Sequence, residues 1–179
     1  MNQTIDDPSR DNPDFHQRIV DFVREELRPI ELQVETSGAI PEAIVEKMRR
    51  LGLFGMSIPE AFEGLGLTTL AEIKVYEALT RTNACFRSRI GTSNSIGSMG
   101  ILYDGTEEQK QKYLPRIAAG EWTAAFALTE PDAGSDASNI STRAVLEDDH
   151  WVLNGTKQFI TNADCATVFT TIALTDEEK

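Results

Sequence analysis

Histidine and cysteine, the side chains most often recruited for nucleophilic and metal chemistry, number only two each in these 179 residues. His16 falls in a helical stretch and His150 in a hairpin, so no nucleophile–base constellation is visible. Cys85 and Cys165 lack metal-ligand spacing and read as small apolar residues of a reducing compartment. Positive charge is also scarce: 17 Lys and Arg stand against 29 Asp and Glu, a formal net charge of -12. That balance excludes binding to nucleic acid or an anionic membrane surface through bulk electrostatics. It leaves room for an anionic ligand held by a few local donors. No apolar run approaches the roughly 20 residues that span a bilayer. Met1 to Asn12 is polar and acidic. It lacks both the basic start and apolar run of a secretory leader and the Arg-rich character of a transit peptide. A cytoplasmic location is the expectation. With 40 % hydrophobic residues, the chain has the composition of a soluble globular protein. Its length suffices for one domain and part of another.

What is present is a helical pattern over the first two thirds. Asn12-Pro13 predicts a helix start, with Asn as cap and Pro in the first turn. Phe15, Ile19, Phe22, Val23, Leu27 and Ile30 then recur at helical spacing, and Pro29 is expected to bend or end the helix. Pro41 opens a second helix through Ile44, Val45, Met48 and Leu51, closed by Gly52. Leu53 to Leu67, with Gly55, Pro59, Gly64 and Gly66, reads as a loop. Thr69 to Glu72 has the form of a capping box and precedes a helix through Ile73, Val75, Tyr76 and Leu79. Arg87 to Tyr103 reads as one buried helix whose Gly and Ser residues allow close packing. Thr106 to Gln109 is a second capping box, opening a helix that Gly120 ends.

The pattern changes near Glu121. Thr123 to Leu128, Thr142 to Leu146, Trp151 to Leu153, Gln158 to Thr161 and Val168 to Leu174 have strand composition. Glu147-Asp148-Asp149 and Asn154-Gly155 read as hairpin turns between them. Helices first and strands second predict an α+β protein: an all-α helical bundle over 1–121, then an incomplete β-barrel domain over 122–179. Four or five strands without closing partners would leave an open sheet edge. The charged loop Asp176 to Lys179 is no natural end for a barrel, so the chain reads as cut within a β domain.

The most informative run is Ala127-Leu128-Thr129-Glu130-Pro131-Asp132-Ala133-Gly134-Ser135-Asp136. Taken as composition, it is a polar turn after a strand. Taken in order, it resembles the acyl-CoA dehydrogenase signature: a small residue, an aliphatic, Thr or Ser, Glu, two variable positions, a small residue, Gly, Ser or Thr, and Asp. Asn139 departs from that signature, which has Gly, Ser or Ala there. Leu153-Asn154-Gly155-Thr156-Lys157-Gln158-Phe159-Ile160-Thr161-Asn162 resembles the family's N-G-x-K-x-[WF]-I-[TS]-[NS] segment. Upstream, Gly105 to Pro115 and Ile58-Pro59-Glu60 with Gly64-Leu65-Gly66 add two further matches. Together they cover most of the chain and resemble the family's N-terminal helical domain and the first part of its middle β domain.

The resemblance implies FAD as cofactor and α,β-dehydrogenation of a fatty or branched-chain acyl-CoA thioester as the reaction. Phe126 to Ser135 would run along the flavin. The backbone of Leu128 and the amide and hydroxyl of Thr129 would bond its pyrimidine end, Phe159 and Ile160 would pack beside the ring, and Thr161 would donate near the ring nitrogen that receives hydride. Ser135 would contact the CoA moiety, and Thr92, Ile96 and Met99 would line the acyl pocket. Gly100 stands where many relatives have Pro. Glu130 invites a general-base reading, but the family pattern makes it structural. The proton-abstracting carboxylate of relatives lies in a C-terminal helical domain, so no catalytic base is expected here. An electron-transfer flavoprotein-like acceptor and a homo-oligomer are the implied partners. Two alternatives remain open: a non-catalytic half that needs a C-terminal partner, and another flavoenzyme of the same fold, such as a monooxygenase or nitroalkane oxidase.

Overall fold

The computed structural model describes residues 13–175. The Asn12 cap and the charged loop over 176–179 fall outside them. Seven α-helices precede four β-strands in this part of the chain: α1 (Pro13–Phe22), α2 (Glu31–Ser37), α3 (Glu42–Arg50), α4 (Thr69–Leu79), α5 (Ala84–Gly91), α6 (Ile96–Asp104), α7 (Glu107–Ala118), β1 (Ala124–Ala127), β2 (Arg143–Glu147), β3 (His150–Asn154) and β4 (Val168–Thr171). No described helix is long and apolar enough to cross a membrane.

Pro29 bends the first helix without ending it. A proline interior to a helix lacks its N–H and clashes with the carbonyl four residues back. The chain accommodates it with a π turn at Val23–Leu27, in which Arg28 N–H reaches Val23 O, and a 3₁₀ turn at Arg28–Ile30. The helix then runs on to Ser37, where Gly38 adopts a left-handed conformation. The expected face of this region is buried: Ile19, Phe22, Val23, Leu27 and Val34 pack with Ile44, Val45 and Met48 of α3 and Val75, Ala78 and Leu79 of α4.

Three expectations need correction. The cap of α4 is Thr68, whose hydroxyl accepts Ala71 N–H, rather than Thr69; Glu72 instead accepts from the Tyr76 hydroxyl. In addition, Ile73 points to solvent. Arg87 to Tyr103 forms two helices, not one. The break at 92–95 arises because short polar side chains there serve the backbone of other segments. Asn94, 2 % exposed, donates to Leu53 O at 2.6 Å and Ile90 O at 3.1 Å and accepts from Ser57 N–H. Ser93 Oγ accepts Ala124 N–H, and Ser95 Oγ donates to Gly91 O. The same bonds explain how the loop after α3 can be buried. Leu53, Phe54, Met56 and Ile58 are fully enclosed, and the Leu53 carbonyl accepts from Asn94 while those of Gly55, Met56 and Ile58 accept from the N–H groups of Leu65, Leu67 and Gly66.

The third correction concerns the strands. β2 and β3 form the expected antiparallel hairpin around Asp148-Asp149. Asn154-Gly155, however, is not a hairpin turn, and Gln158 to Thr161 is not a strand. Gly155 lies so close to Thr142 that a Cβ would overlap its hydroxyl. The following segment is irregular, with Phe159 and Asn162 in left-handed backbone conformations. β4 then pairs in parallel with β1, Ala124 opposite Val168 through Ala127 opposite Thr171. The described strands therefore make two two-stranded sheets, not a closed barrel. Leu174 bridges to the start of β2 and links the two.

Helix α6 packs against α7, β1 and β4. Gly97 makes that approach possible: a Cβ there would fall 2.8 Å from Thr92 O and 3.0 Å from Ala124 Cβ. Thr170 Oγ1 completes the contact by donating to Gly97 O at 2.9 Å. The capping box of α7 is as expected, with Thr106 and Gln109 bonded reciprocally, and Gly120 ends the helix with a positive φ. Forcing side chains into a close-packed contact costs about 1–3 kcal/mol. Gly97→Val is expected to lower the stability of the chain by at least that amount in urea unfolding, and an unchanged midpoint would show that the α6–β1 contact is not tight.

Candidate functional site

The loop after β1 is built around one carboxylate. Glu130 is 2 % exposed and follows directly from the strand that ends at Ala127. Its Oε1 lies 2.7 Å from Lys157 Nζ and accepts Thr142 N–H at 2.9 Å. Its Oε2 accepts Ser141 N–H at 2.6 Å and Ser141 Oγ at 2.7 Å. A carboxylate this buried needs such a set, because an unpaired charge in the interior is costly. The Lys157 ammonium, followed by the Thr142 and Ser141 donors, holds the carboxyl well below the usual carboxylate range, against the burial that would raise it. Glu130 is thus ionised and fully engaged, which makes it a poor proton acceptor and a good structural anchor.

The carboxylate ties three segments into one surface. The backbone of Glu130 also pairs with Ala133 to close a tight turn. On the other side, residues 157 and 158 bond to the carbonyls that lead out of β1. Ile172 N–H donates to Ala127 O at 3.1 Å, Lys157 Nζ to Leu128 O at 2.8 Å, Gln158 N–H to Thr129 O at 2.9 Å, and Gln158 Nε2 to Glu130 O at 3.2 Å. Four successive carbonyls are engaged, whereas the N–H groups of Leu128 and Thr129 donate to no acceptor among the described residues. The segment thus keeps two adjacent backbone donors without an acceptor among the described residues.

Phe159 sits immediately after this ladder. It is 86 % exposed and has a φ of 57°, in the left-handed region. Ile160 is half-buried and Thr161 exposed. Asn162 anchors the far end of the loop: its Nδ2 donates to Thr92 Oγ1 at 2.8 Å and lies near Ser88 O and Arg89 O at the end of α5. The sequence candidates Leu128, Thr129, Phe159, Ile160, Thr161 and Thr92 are therefore brought into one connected region. Phe126 is half-buried within β1 behind it. Thr92 is buried, and its oxygen is engaged by Asn162. Ile96, half-exposed at the start of α6, and Met99, half-buried one turn on, lie on the helix that follows. Ser135 is exposed in the turn beyond Glu130 and has no hydrogen bond joining it to the rest among the described residues.

Sequence reasoning assigned no role to Lys157, Gln158 or Asn162, although all three stand in a motif it singled out. Lysine and glutamine in a polar loop ordinarily read as solvated. A Glu and a Lys 27 positions apart, each in a turn-rich segment, carry no local signal of pairing. The described residues include no group of three or more His, Cys, Asp or Glu able to hold a metal ion.

A helical domain followed by a partial β layer, with the loop after β1 built around a buried carboxylate clamp, defines the class: an α+β protein in which a helical scaffold supports that loop. The profile of the acyl-CoA dehydrogenase N-terminal domain matches residues 9–121, and that of the acyl-CoA dehydrogenase middle domain matches residues 125–179. The chain belongs to the acyl-CoA dehydrogenase family. It is 39 % identical over 159 residues to an acyl-CoA dehydrogenase of Bacillus subtilis, covering 89 % of this chain and 42 % of that protein. Among solved structures, butyryl-CoA dehydrogenase from Megasphaera elsdenii is 32 % identical with a TM-score of 0.86, covering 100 % of this chain and 47 % of that one. An acyl-CoA dehydrogenase from Bacillus anthracis, solved with FAD, is 38 % identical with a TM-score of 0.81 over 90 % of this chain and 28 % of that one. The chain spans less than half the length of these relatives.

The clamp has a pH signature. The folded-state pKa of Glu130 is depressed, so the stability it contributes is fully present above the unfolded carboxylate value of about 4.3 and is lost as pH falls through the folded value. The stability gap in urea unfolding between the wild-type chain and Glu130→Gln is expected to be largest near about pH 7 and to narrow progressively as pH falls below about pH 4. A gap that stays constant down to about pH 3 would contradict the ion-pair assignment.

Proposed function

We propose that this chain forms the flavin-facing wall of an FAD-dependent acyl-CoA dehydrogenase, acting on a fatty or branched-chain acyl-CoA thioester. The observation that carries the reading is the open donor edge: the N–H groups of Leu128 and Thr129, unpartnered while the carbonyls beside them are tied down, next to a protruding Phe159. FAD, when bound, would supply the acceptor for the hydride that leaves the β carbon of the thioester. Leu128 and Thr129 would donate to the electron-rich pyrimidine edge of the ring without reorganising, which is how fixed dipoles stabilise developing charge. Phe159 and Ile160 would cover the ring, Phe126 would back it, and Thr161 would donate toward its central nitrogen. Ser135 would bind the CoA moiety, and Thr92, Ile96 and Met99 would contribute to the acyl wall. FAD in the Bacillus anthracis relative and the butyryl-CoA dehydrogenase identity of the Megasphaera elsdenii one support both ligands.

Glu130 is excluded as the base by its partners, and on the family resemblance the carboxylate that removes the α proton would come from the part of the relatives that this chain does not span. We divide the chain into a helical domain over 1–121 and the first part of a β domain over 122–179. The apolar face of the hairpin, with Leu146, Trp151 and Leu153 each about half exposed, would be covered in the working enzyme by further chain or by a second subunit of a homo-oligomer. An electron-transfer flavoprotein-like acceptor would reoxidise the flavin.

The test is a visible spectrum after FAD addition and gel filtration, followed by titration with acyl-CoA substrates. A retained flavin band that bleaches with substrate only once the C-terminal domain of the Bacillus subtilis relative is added supports the full reading, and bleaching by the chain alone would place a base within these residues and overturn the assignment of the base to another part of the protein. Phe159→Ala should weaken FAD binding about 3–10-fold, the size of one aromatic stacking contact. A chain that stays colourless, alone and with the C-terminal domain of the Bacillus subtilis relative, overturns the proposal.

A further inference from the structure

The two open donors belong to two peptide units that are bonded differently from behind. The Ala127–Leu128 unit, which carries the Leu128 N–H, receives a neutral backbone N–H from Ile172 at 3.1 Å. The Leu128–Thr129 unit, which carries the Thr129 N–H, receives the Lys157 ammonium at 2.8 Å. A hydrogen bond to a carbonyl oxygen draws electron density along the amide and makes its N–H a stronger donor, and a charged donor does so more than a neutral one. The Lys157 side chain is 11 % exposed, so water screens this effect only weakly. Its second contact, Glu130 Oε1 at 2.7 Å, fixes the ammonium in place. The ion pair is neutral as a whole, but its positive pole is the one that touches the peptide. Glu130 is in turn held by Ser141 and Thr142, so the charge cannot swing away without unmaking the turn.

We infer that Lys157 is a positioning residue that acts through the Leu128 carbonyl: it orients and polarises the Thr129 N–H so that this donor favours the electron-rich reduced form of a flavin over the oxidised form. The inference rests on the flavin reading above and adds to it a residue, a direction of electronic effect and a preference between redox states. It assigns Glu130 the supporting role of holding the ammonium, and it makes the Leu128 N–H the less discriminating of the two donors.

The experiment uses the full chain, isotopically labelled, as wild type, Lys157→Met, Lys157→Arg and the double variant Glu130→Gln/Lys157→Met. The double variant leaves no buried charge without a partner and so keeps the test open if the single Met variant does not fold. The first readout needs no flavin: the Leu128 carbonyl carbon and Thr129 amide proton resonances should move upfield in both Met variants and stay near wild type in the Arg variant. Resonances that do not move overturn the inference. The second readout is the affinity for oxidised and for chemically reduced FAD. Lys157→Met should weaken the reduced form about tenfold, the effect of one charge-assisted hydrogen bond, and the oxidised form by less than about threefold. Lys157→Arg should restore the preference. Equal weakening of both forms, with the wild type binding well, overturns the inference and leaves the flavin reading standing. A wild-type chain that binds neither form, alone and with the C-terminal domain of the Bacillus subtilis relative, overturns the flavin reading, and with it the ligand preference assigned to Lys157.

Discussion

A carboxylate buried to 2 % exposure must find a partner for each of its oxygens, and the loop geometry of this protein follows from how Glu130 meets that requirement. Ser141 and Thr142 approach from the start of β2, and Lys157 approaches from the segment after β3. Once these are in place, the path out of β1 is set. The ammonium and Gln158 engage the Leu128, Thr129 and Glu130 carbonyls, and the N–H groups of Leu128 and Thr129 are left without an acceptor among the described residues. Donors that are already fixed can serve a ligand without the reorganisation that flexible or water-bonded groups would need.

The helical part contributes by holding this loop from beneath. Small residues let α6 approach β1 and β4, with Gly97 against Ala124 and Thr170 bonded to Gly97 O. Asn94 joins the end of α5 to the buried loop after α3, and Asn162 joins the end of α5 to the segment carrying Phe159 and Thr161. Two asparagines, both bonded to backbone carbonyls of the same helix, thus connect the hydrophobic core to the exposed wall. The rigidity of the wall is inherited from a core that contains no functional group of its own.

Much of the helical architecture was legible because it depends on local periodicity. The apolar spacing from Phe15 to Ile30, the capping box at Thr106 and the stop at Gly120 are short-range signals that tertiary contacts did not override. The misreadings share a cause. Arg87 to Tyr103 looked like one helix because its Ser and Asn residues were read by composition, whereas Ser93 and Asn94 spend their side chains on Ala124 and Leu53, many positions away. Gln158 to Thr161 looked like a strand because Phe, Ile and Thr favour sheets, yet Gln158 is bonded to the β1 exit and Asn162 to α5. Leu128, Thr129 and Phe159 were named as candidates by motif order, whereas the Lys157–Glu130 pair, which bonds the Leu128 carbonyl, was not.

The sequence by itself determined the order of helices and strands, the family of the chain and the segments that carry the candidate site, because periodicity, caps and motif order are properties of neighbouring residues. Only the tertiary structure decided which donors hold Glu130, that Lys157 touches the Leu128 carbonyl, and that the Leu128 and Thr129 N–H groups have no acceptor among the described residues. Those facts depend on which side chain reaches a buried charge from 27 positions away, and that is set by the packing of the segments rather than by any local preference of theirs.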